Sequence, residues 1–169
     1  YDHEIRGATV VRPLVGARSD GHADGVVLAE PIDTHGLAIG IGVADHKEID
    51  QINILRASLL SMKRAVQNIA PGPNFSGPDF LLIDGKFTLD MDLPQQAIVQ
   101  GDSRSISIAA ASIIAKVTRD RYMADLHSSY PLYNFIQHKG YPTKAHKQAI
   151  IQHGPCPFHR TTFNGVICK

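Results

Sequence analysis

Two short apolar runs in this chain end in an aspartate at the same kind of turn. They are DFLLIDG at 79–85 and QQAIVQGD at 95–102. The second leads directly into SISIAAASIIAKVTRDRYMADL at 105–126, where Ile106, Ala110, Ile113, Val117, Met123 and Leu126 form a helical stripe. Short apolar runs closed by turn residues read as buried strands, and a three- and four-residue recurrence reads as a helix. A strand–strand–helix order with this spacing predicts an α/β fold, because a half-apolar sheet must be covered by helices. The alanines and serines of the stripe allow that helix to approach a sheet closely.

The same alternation runs through the rest of the chain. ATVVRPLVGA (8–17) and VVLA (26–29) read as strands, with the polar, glycine-rich RSDGHADG (18–25) as a loop between them. GLAIGIGVA (36–44) reads as a buried strand. From Asp45 the period changes, and Ile49, Ile52, Leu55, Leu59, Met62 and Val66 predict an amphipathic helix ending at PGPN, 71–74. Asp45 with Glu48 three residues on forms an acidic capping box. Thr143 caps a last helix running to about His153, where Gly154 stops it.

At 169 residues with 43 % apolar content, the chain is expected to be a single domain with a full core. No apolar run reaches the roughly 18–20 residues of a membrane span. The first residues lack a signal-peptide pattern, so a cytoplasmic location is expected. Cys156 and Cys168 read as free thiols, since Cys156-Pro-Phe-His159 has nothing in the sequence to complete a metal site. The net charge of +1 hides an asymmetry. Residues 1–99 hold 8 Lys/Arg against 13 Asp/Glu, and residues 100–169 hold 9 against 3. A basic half suits a polyanion and an acidic half suits a divalent cation, though opposite halves also attract each other within a fold.

Asp84 and Asp102 are the residues through which the sequence points to chemistry. Sites in α/β sheets form outside the carboxyl ends of parallel strands, and carboxylates gathered there repel unless a hard cation joins them. The structural alternatives are an Asp-Gly turn for Asp84 and an anion at a helix start for Asp102. Ser103, Ser105 and Ser107, beside the N–H groups of that helix start, are candidate phosphate contacts. Asp120, more than four helical turns further on, reads as a solvated partner of Arg119 or Arg121.

Taken together, INILRASLLSMKRAV (52–66), LLIDG (81–85), AIVQGDSRSISIAAASIIAKVTRDR (97–121), HKGYPT (138–143) and GPCPFHRTTF (154–163) resemble bacterial ribonuclease HII, over residues 36–165 in unbroken order. The resemblance implies a ribonuclease H-like fold, with a mixed central sheet flanked by helices and a C-terminal helical segment, 127–169, that contacts substrate. It implies an endonuclease that hydrolyses the RNA strand of RNA–DNA hybrids. Such an enzyme also cuts 5′ to a ribonucleotide embedded in duplex DNA, using Mg²⁺ or Mn²⁺, two ions in the catalytic complex. Asp84 and Asp102 match the family's third and fourth carboxylates. Tyr141 matches the tyrosine that stacks on the deoxyribose after the ribonucleotide, which is a test of sugar shape rather than of base. Lys139 and Lys144 are expected near phosphates, and His138 is expected to be structural. A monomer is expected.

Residues 1–35 depart from the family pattern. Asp2, Arg6 and Gly7 match its first-strand motif in register, so Asp2 and Glu4 are the expected first two carboxylates, with Arg6 and Gly7 at the ribose. His3 stands where the motif has glutamate, Glu4 falls one place late, and Ile5 replaces a glycine. A one-residue slip on a strand turns a side chain to the other face. A second register places Arg12 at the motif arginine and leaves no first-strand carboxylate. The rival expectations are a protein of the same fold that grips a hybrid without cutting it, and another phosphoryl-transfer enzyme on that fold, such as a DNA resolvase.

Overall fold

The computed structural model of the chain describes residues 8–14, 23–29, 38–70, 77–162 and 166. Its sheet is built from β1 (Ala8–Leu14), β2 (Ala23–Ala29), β3 (Ala38–Ala44), β4 (Phe80–Asp84) and β5 (Gln95–Ile98), in the spatial order β3-β2-β1-β4-β5. β1 pairs antiparallel with β2, and β2 with β3; β1 pairs parallel with β4, and β4 with β5. The sheet is therefore mixed, as expected. β2 starts earlier than the sequence suggests, because Ala23, Asp24 and Gly25, read as loop, pair with Ala44, Val43 and Gly42.

The predicted buried strand β3 is buried on one face only. Gly40, Gly42 and Ala44 are buried, whereas Ile39, Ile41 and Val43 are 44, 38 and 43 % exposed. The glycines are needed by the helix α1 (His46–Gln67) that lies against them. A β-carbon at Gly40 would stand 2.1 Å from the Ala65 carbonyl oxygen, and one at Gly42 would stand 2.1 Å from that of Ser61. The bulky residues therefore face away from α1.

α1 begins with the predicted capping box. Asp45 accepts from the Glu48 amide at 2.9 Å, and Glu48 accepts from the Asp45 amide at 3.0 Å. Arg64 then reaches back from the last turn, donating to Glu48 at 2.9 and 2.6 Å and to the Val43 carbonyl at 2.7 Å. α1 is not one continuous helix, however. Asn53 has φ 67° and ψ 165°, and its side chain accepts from the Arg56 amide at 3.1 Å, so it caps a second segment. This break rotates the buried face. Leu55, placed on the stripe by periodicity, is 46 % exposed, and Ala57, Ser58 and Ser61 are buried instead.

β4 explains why its sequence is apolar without alternation. Leu81 and Ile83 pack with Met62, Ala65, Val66 and Ile69 of the α1 layer, while Leu82 packs on the other face with Ile108 and Ala111. Those two belong to α2 (Ile106–Ser129), so the strand is covered on both sides. The predicted stripe of α2 is corrected in part. Ile106, Ile113 and Val117 are 84, 63 and 44 % exposed, and the buried line is Ile108, Ala111, Ala115, Arg119, Met123 and Leu126. The face with alanines lets the helix axis approach the sheet, and this wins over the face with more apolar area.

Beyond α2 come a 3₁₀ turn at Pro131–Tyr133, the single-turn helix α3 (Phe135–His138) and α4 (Lys144–His153). Met123, Leu126, Tyr133, Phe135, Ile150, Cys156 and Val166 form a second core around the far end of α2. Asp50 fastens this segment to α1. It accepts from the Thr161 amide and hydroxyl at 2.9 Å each and from the Thr162 hydroxyl, with Arg160 Nε at 3.5 Å.

Candidate active site and nucleic-acid interface

β4 and β5 are parallel neighbours, with Asp84 level with Ile98. The Gly85 amide donates to the Ile98 carbonyl at 3.0 Å, which extends the pairing past Asp84. Gln100, with φ 56°, then turns the chain in a left-handed conformation, and the Gly101 amide donates to Asp84 Oδ1 at 2.8 Å. Asp102 follows at once in a 3₁₀ turn. The two aspartates thus follow the carboxyl ends of adjacent parallel strands, both part-exposed, with the amide of the residue before Asp102 bonded to Asp84. Gly101 is required for this closeness, because a β-carbon there would meet Ile108 Cδ1 at 2.5 Å and Asp84 Oδ1 at 3.1 Å.

Asp84 and Asp102 supply the hard oxygen donors that a divalent cation prefers, and in this respect the residues present fit such an ion. Among the described residues no group of three or more His, Cys, Asp or Glu side chains is placed to hold one. The other expected members, Asp2, Glu4, Arg6 and Gly7, lie outside the described residues. The described part of the first strand, ATVVRPL, has no carboxylate. Its register with β4 pairs Val11 with Ile83, the residue before Asp84.

The start of α2 separates two of the expected phosphate contacts. Ser103 is exposed, its hydroxyl 3.4 Å from Asp102 Oδ1. Ser105 is 8 % exposed, and its oxygen caps the helix by accepting from the Ile108 amide at 3.4 Å. A capping oxygen turned toward its own helix is not presented to a ligand, so Ser105 is reassigned to structure.

The HKGYPT turn lies against the far half of α2. Lys139 and Gly140 both have positive φ, 49° and 78°, which folds the chain back tightly. Tyr141 is 45 % exposed, Lys139 is part-exposed, and Lys144, the first residue of α4, is exposed. Arg119, which with Arg121 was one of two expected partners of a solvated Asp120, is 3 % exposed. It donates to the Lys139 carbonyl at 2.5 Å, and its guanidinium carbon lies 5.6 Å from the centre of the Tyr141 ring. His138 is buried, as expected for a structural histidine, and its Nε2 lies 2.6 Å from the Tyr133 carbonyl. Periodicity missed Arg119 because a charged residue is not expected on a buried line. The spacing of the basic residues gave no sign of it.

His159 finds a partner in His146. The two rings meet Nε2 to Nε2 at 3.0 Å. Burial holds both well below the ordinary histidine value, at about 4. Burial also lowers His138 and raises the free thiol of Cys156. The sequence reading weighed His159 only as half of an incomplete Cys–His pair and did not single out His146; the available signal was its nearness to HKGYPT.

Comparison with known proteins adds to this geometry. Residues 27–166 match the family model described as Ribonuclease HII. Ribonuclease HII of Desulfotalea psychrophila is 58 % identical over 128 residues, covering 76 % of this chain and 56 % of the relative. That of Geobacter sulfurreducens is 56 % identical over 166 residues, covering 98 % of this chain and 71 % of the relative. The chain thus spans little more than half the length of the first relative and under three quarters of the second. Among solved structures, ribonuclease H2 from Pyrococcus horikoshii superposes with a TM-score of 0.71 at 17 % identity, covering 94 % of each chain. A Bst ribonuclease HIII in complex with Mn²⁺ gives 0.63 at 14 % identity, covering 95 % of this chain and 68 % of the other. At these identities the likeness establishes the fold.

Proposed function

The chain belongs to the ribonuclease HII family, and from this we propose that it is a divalent-metal-dependent endoribonuclease. It hydrolyses the RNA strand of RNA–DNA hybrids and cuts 5′ to ribonucleotides embedded in duplex DNA. The observation that supports the reading is the hydrogen bond from the Gly101 amide to Asp84, which ties the end of β4 to the residue preceding Asp102. These two carboxylates hold the cation, Mg²⁺ or Mn²⁺, with Asp2 and Glu4 as the further ligands from the first strand. When bound, such a cation supplies activation of a water and stabilisation of charge on the leaving 3′-oxygen.

The chain's own residues do the rest. Ser103 and the exposed Lys139 and Lys144 contact phosphates, and Arg6 and Gly7 approach the ribose. Tyr141, exposed on a turn held by Arg119, offers its ring to the sugar beyond the cut. Its expected setting is the cytoplasm, as a monomer. No helix among the described residues is long and apolar enough to cross a membrane.

One observation favours a second reading, in which the protein grips hybrids without cutting them. The described β1, ATVVRPL, carries no carboxylate, and its printed pairing with β4 runs to Val11 opposite Ile83, one residue before Asp84. The test is incubation of the chain with an end-labelled DNA duplex holding one ribonucleotide, with and without Mg²⁺ or Mn²⁺. A single metal-dependent cut 5′ to the ribonucleotide supports the nuclease. Retarded but intact duplex supports the binding protein.

A further inference from the structure

The hydrogen bonds around His146 and His159 leave one arrangement of protons. The Cys156 amide donates to His159 Nδ1 at 2.9 Å, so a neutral His159 carries its proton on Nε2. The Tyr141 carbonyl can only accept, so His146 Nδ1, 3.0 Å away, carries a proton and its Nε2 is an acceptor. The 3.0 Å contact between the rings then runs from His159 Nε2–H to His146 Nε2. One line of donors passes from the Cys156 amide through both rings to the carbonyl of Tyr141. An added proton on either ring sets N–H against N–H, and burial keeps both neutral down to about 4.

The packing holds the rings in that line. His146 and His159 are 0 and 3 % exposed. His138 stacks on His146 with centres 4.2 Å apart and planes 15° apart, and Phe135 stands edge-on to His146 at 5.5 Å. The Thr143 amide also donates to the Tyr141 carbonyl, at 2.8 Å. Arg119 holds the opposite side of the turn through the Lys139 carbonyl. Among the described residues, His138 acts on both rings, His46 of α1 acts on His159, Tyr133 packs on His159 with ring centres 4.9 Å apart, and Cys156 bonds His159 through its amide. The pair therefore connects the CPFH turn to the backbone of the one residue in HKGYPT whose ring is presented outward.

We propose that His146 and His159 are positioning residues for Tyr141: their relay fixes the Tyr141 backbone, so that the exposed ring is held ready for the sugar it selects. The role in substrate choice rests on the reading of the chain as a ribonuclease HII, whereas the relay itself does not. It is therefore tested both without and with substrate. On the intact chain, an imidazole ¹⁵N spectrum at neutral pH shows the proton of His146 on Nδ1 and that of His159 on Nε2. His159→Leu removes the donor. It speeds hydrogen exchange at the Thr143 amide roughly tenfold, the size of one net hydrogen bond. His159→Gln, whose amide nitrogen can take the place of Nε2, keeps the exchange slow. The opposite tautomers, or unchanged exchange in His159→Leu, overturn the relay.

With substrate, the readout is kcat/KM on the lone-ribonucleotide duplex divided by kcat/KM on an all-RNA hybrid strand. His159→Leu lowers this ratio, His159→Gln restores it, and His159→Leu adds no further loss when Tyr141 is already alanine. An equal loss on both substrates, independent of Tyr141, overturns the positioning role and leaves a merely structural pair. Failure of the nuclease reading shows itself separately, as a wild-type chain with the expected spectrum and exchange but no cleavage.

Discussion

The amide of Gly101 donates to the carboxylate of Asp84 across 2.8 Å, and Asp102 is the next residue in the chain. With the Gly85–Ile98 bond, this contact joins the ends of two parallel strands, and it explains the glycine. Gly101→Ala pushes a methyl group to 2.5 Å from Ile108 Cδ1, a side chain that is itself fully buried. The cost of overpacking such a site is about 1–3 kcal/mol. The expected result is a fall in urea-unfolding stability of that order together with a larger loss of cleavage, since Asp84 moves with its amide partner. An alanine variant that matches wild type in both measurements contradicts the role given to Gly101.

Acid should loosen the C-terminal core first. The unfolded His146 and His159 titrate near 6.5, and in the fold both are lowered to about 4. Between these values the unfolded chain binds more protons, so stability is complete above pH 6.5 and falls as pH drops toward 4. The slope is at most about 1.4 kcal/mol per pH unit for each histidine. His138 is lowered as well and acts in the same sense. Glu48 is also lowered, chiefly by Arg64, and its contribution is lost only as pH falls through its own depressed value. Urea unfolding at pH 7, 6 and 5 checks this, with His159→Gln giving a shallower decline. Equal stability at pH 7 and 5 rules it out.

The elements were legible where the signal is local. The Asp45–Glu48 box and the unbroken apolar run of β4 announce themselves within a few residues. The break at Asn53 was not legible, because the three- and four-residue recurrence continues through it. The buried line of α2 was misread for a related reason. Ile113 and Val117 are more apolar than Ala111 and Ala115, yet close approach to the sheet selects the small residues. At the site, Asp84 and Asp102 could be placed at strand ends by their turns. Arg119 and the His146–His159 contact bring together residues 13 to 20 positions apart through tertiary packing that no periodicity encodes. The first strand is the weakest point for sequence reading, since two registers fit it. In the structure Val11 pairs with Ile83, and residues 1–7 lie outside the described residues.

Tyr141 should matter through its ring. A stacking contact is worth about 1–3 kcal/mol, so Tyr141→Ala should lower cleavage of a lone-ribonucleotide duplex roughly 5- to 150-fold. Tyr141→Phe should keep most of the activity, because stacking does not use the hydroxyl. Steady-state kinetics on that duplex and on an all-RNA hybrid strand make the comparison. Alanine activity equal to wild type on the lone-ribonucleotide duplex would reduce Tyr141 to a rim residue.

Binding should weaken steeply with salt. Residues 100–169 carry 9 Lys/Arg against 3 Asp/Glu, and Lys144 and Lys147 are exposed on α4. Each phosphate contact contributes about −0.9 to the slope of log affinity against log salt. Lys144→Ala should reduce the measured slope by about that one contact. An affinity for hybrid that does not change with salt excludes the basic half as the docking face.

The most direct measurement compares wild type with Asp84→Asn and Asp102→Asn on an end-labelled duplex holding one ribonucleotide, scoring cleavage and binding in the same metal-containing buffer. Asparagine at 84 keeps an oxygen to accept from Gly101, so the turn is retained while the negative charge is lost. The predicted result is a metal-dependent cut 5′ to the ribonucleotide by wild type, no cut by either variant, and binding by all three. Undiminished cutting by both variants, or a wild type that binds and never cuts, contradicts the assignment of Asp84 and Asp102 as the metal-holding pair of a nuclease.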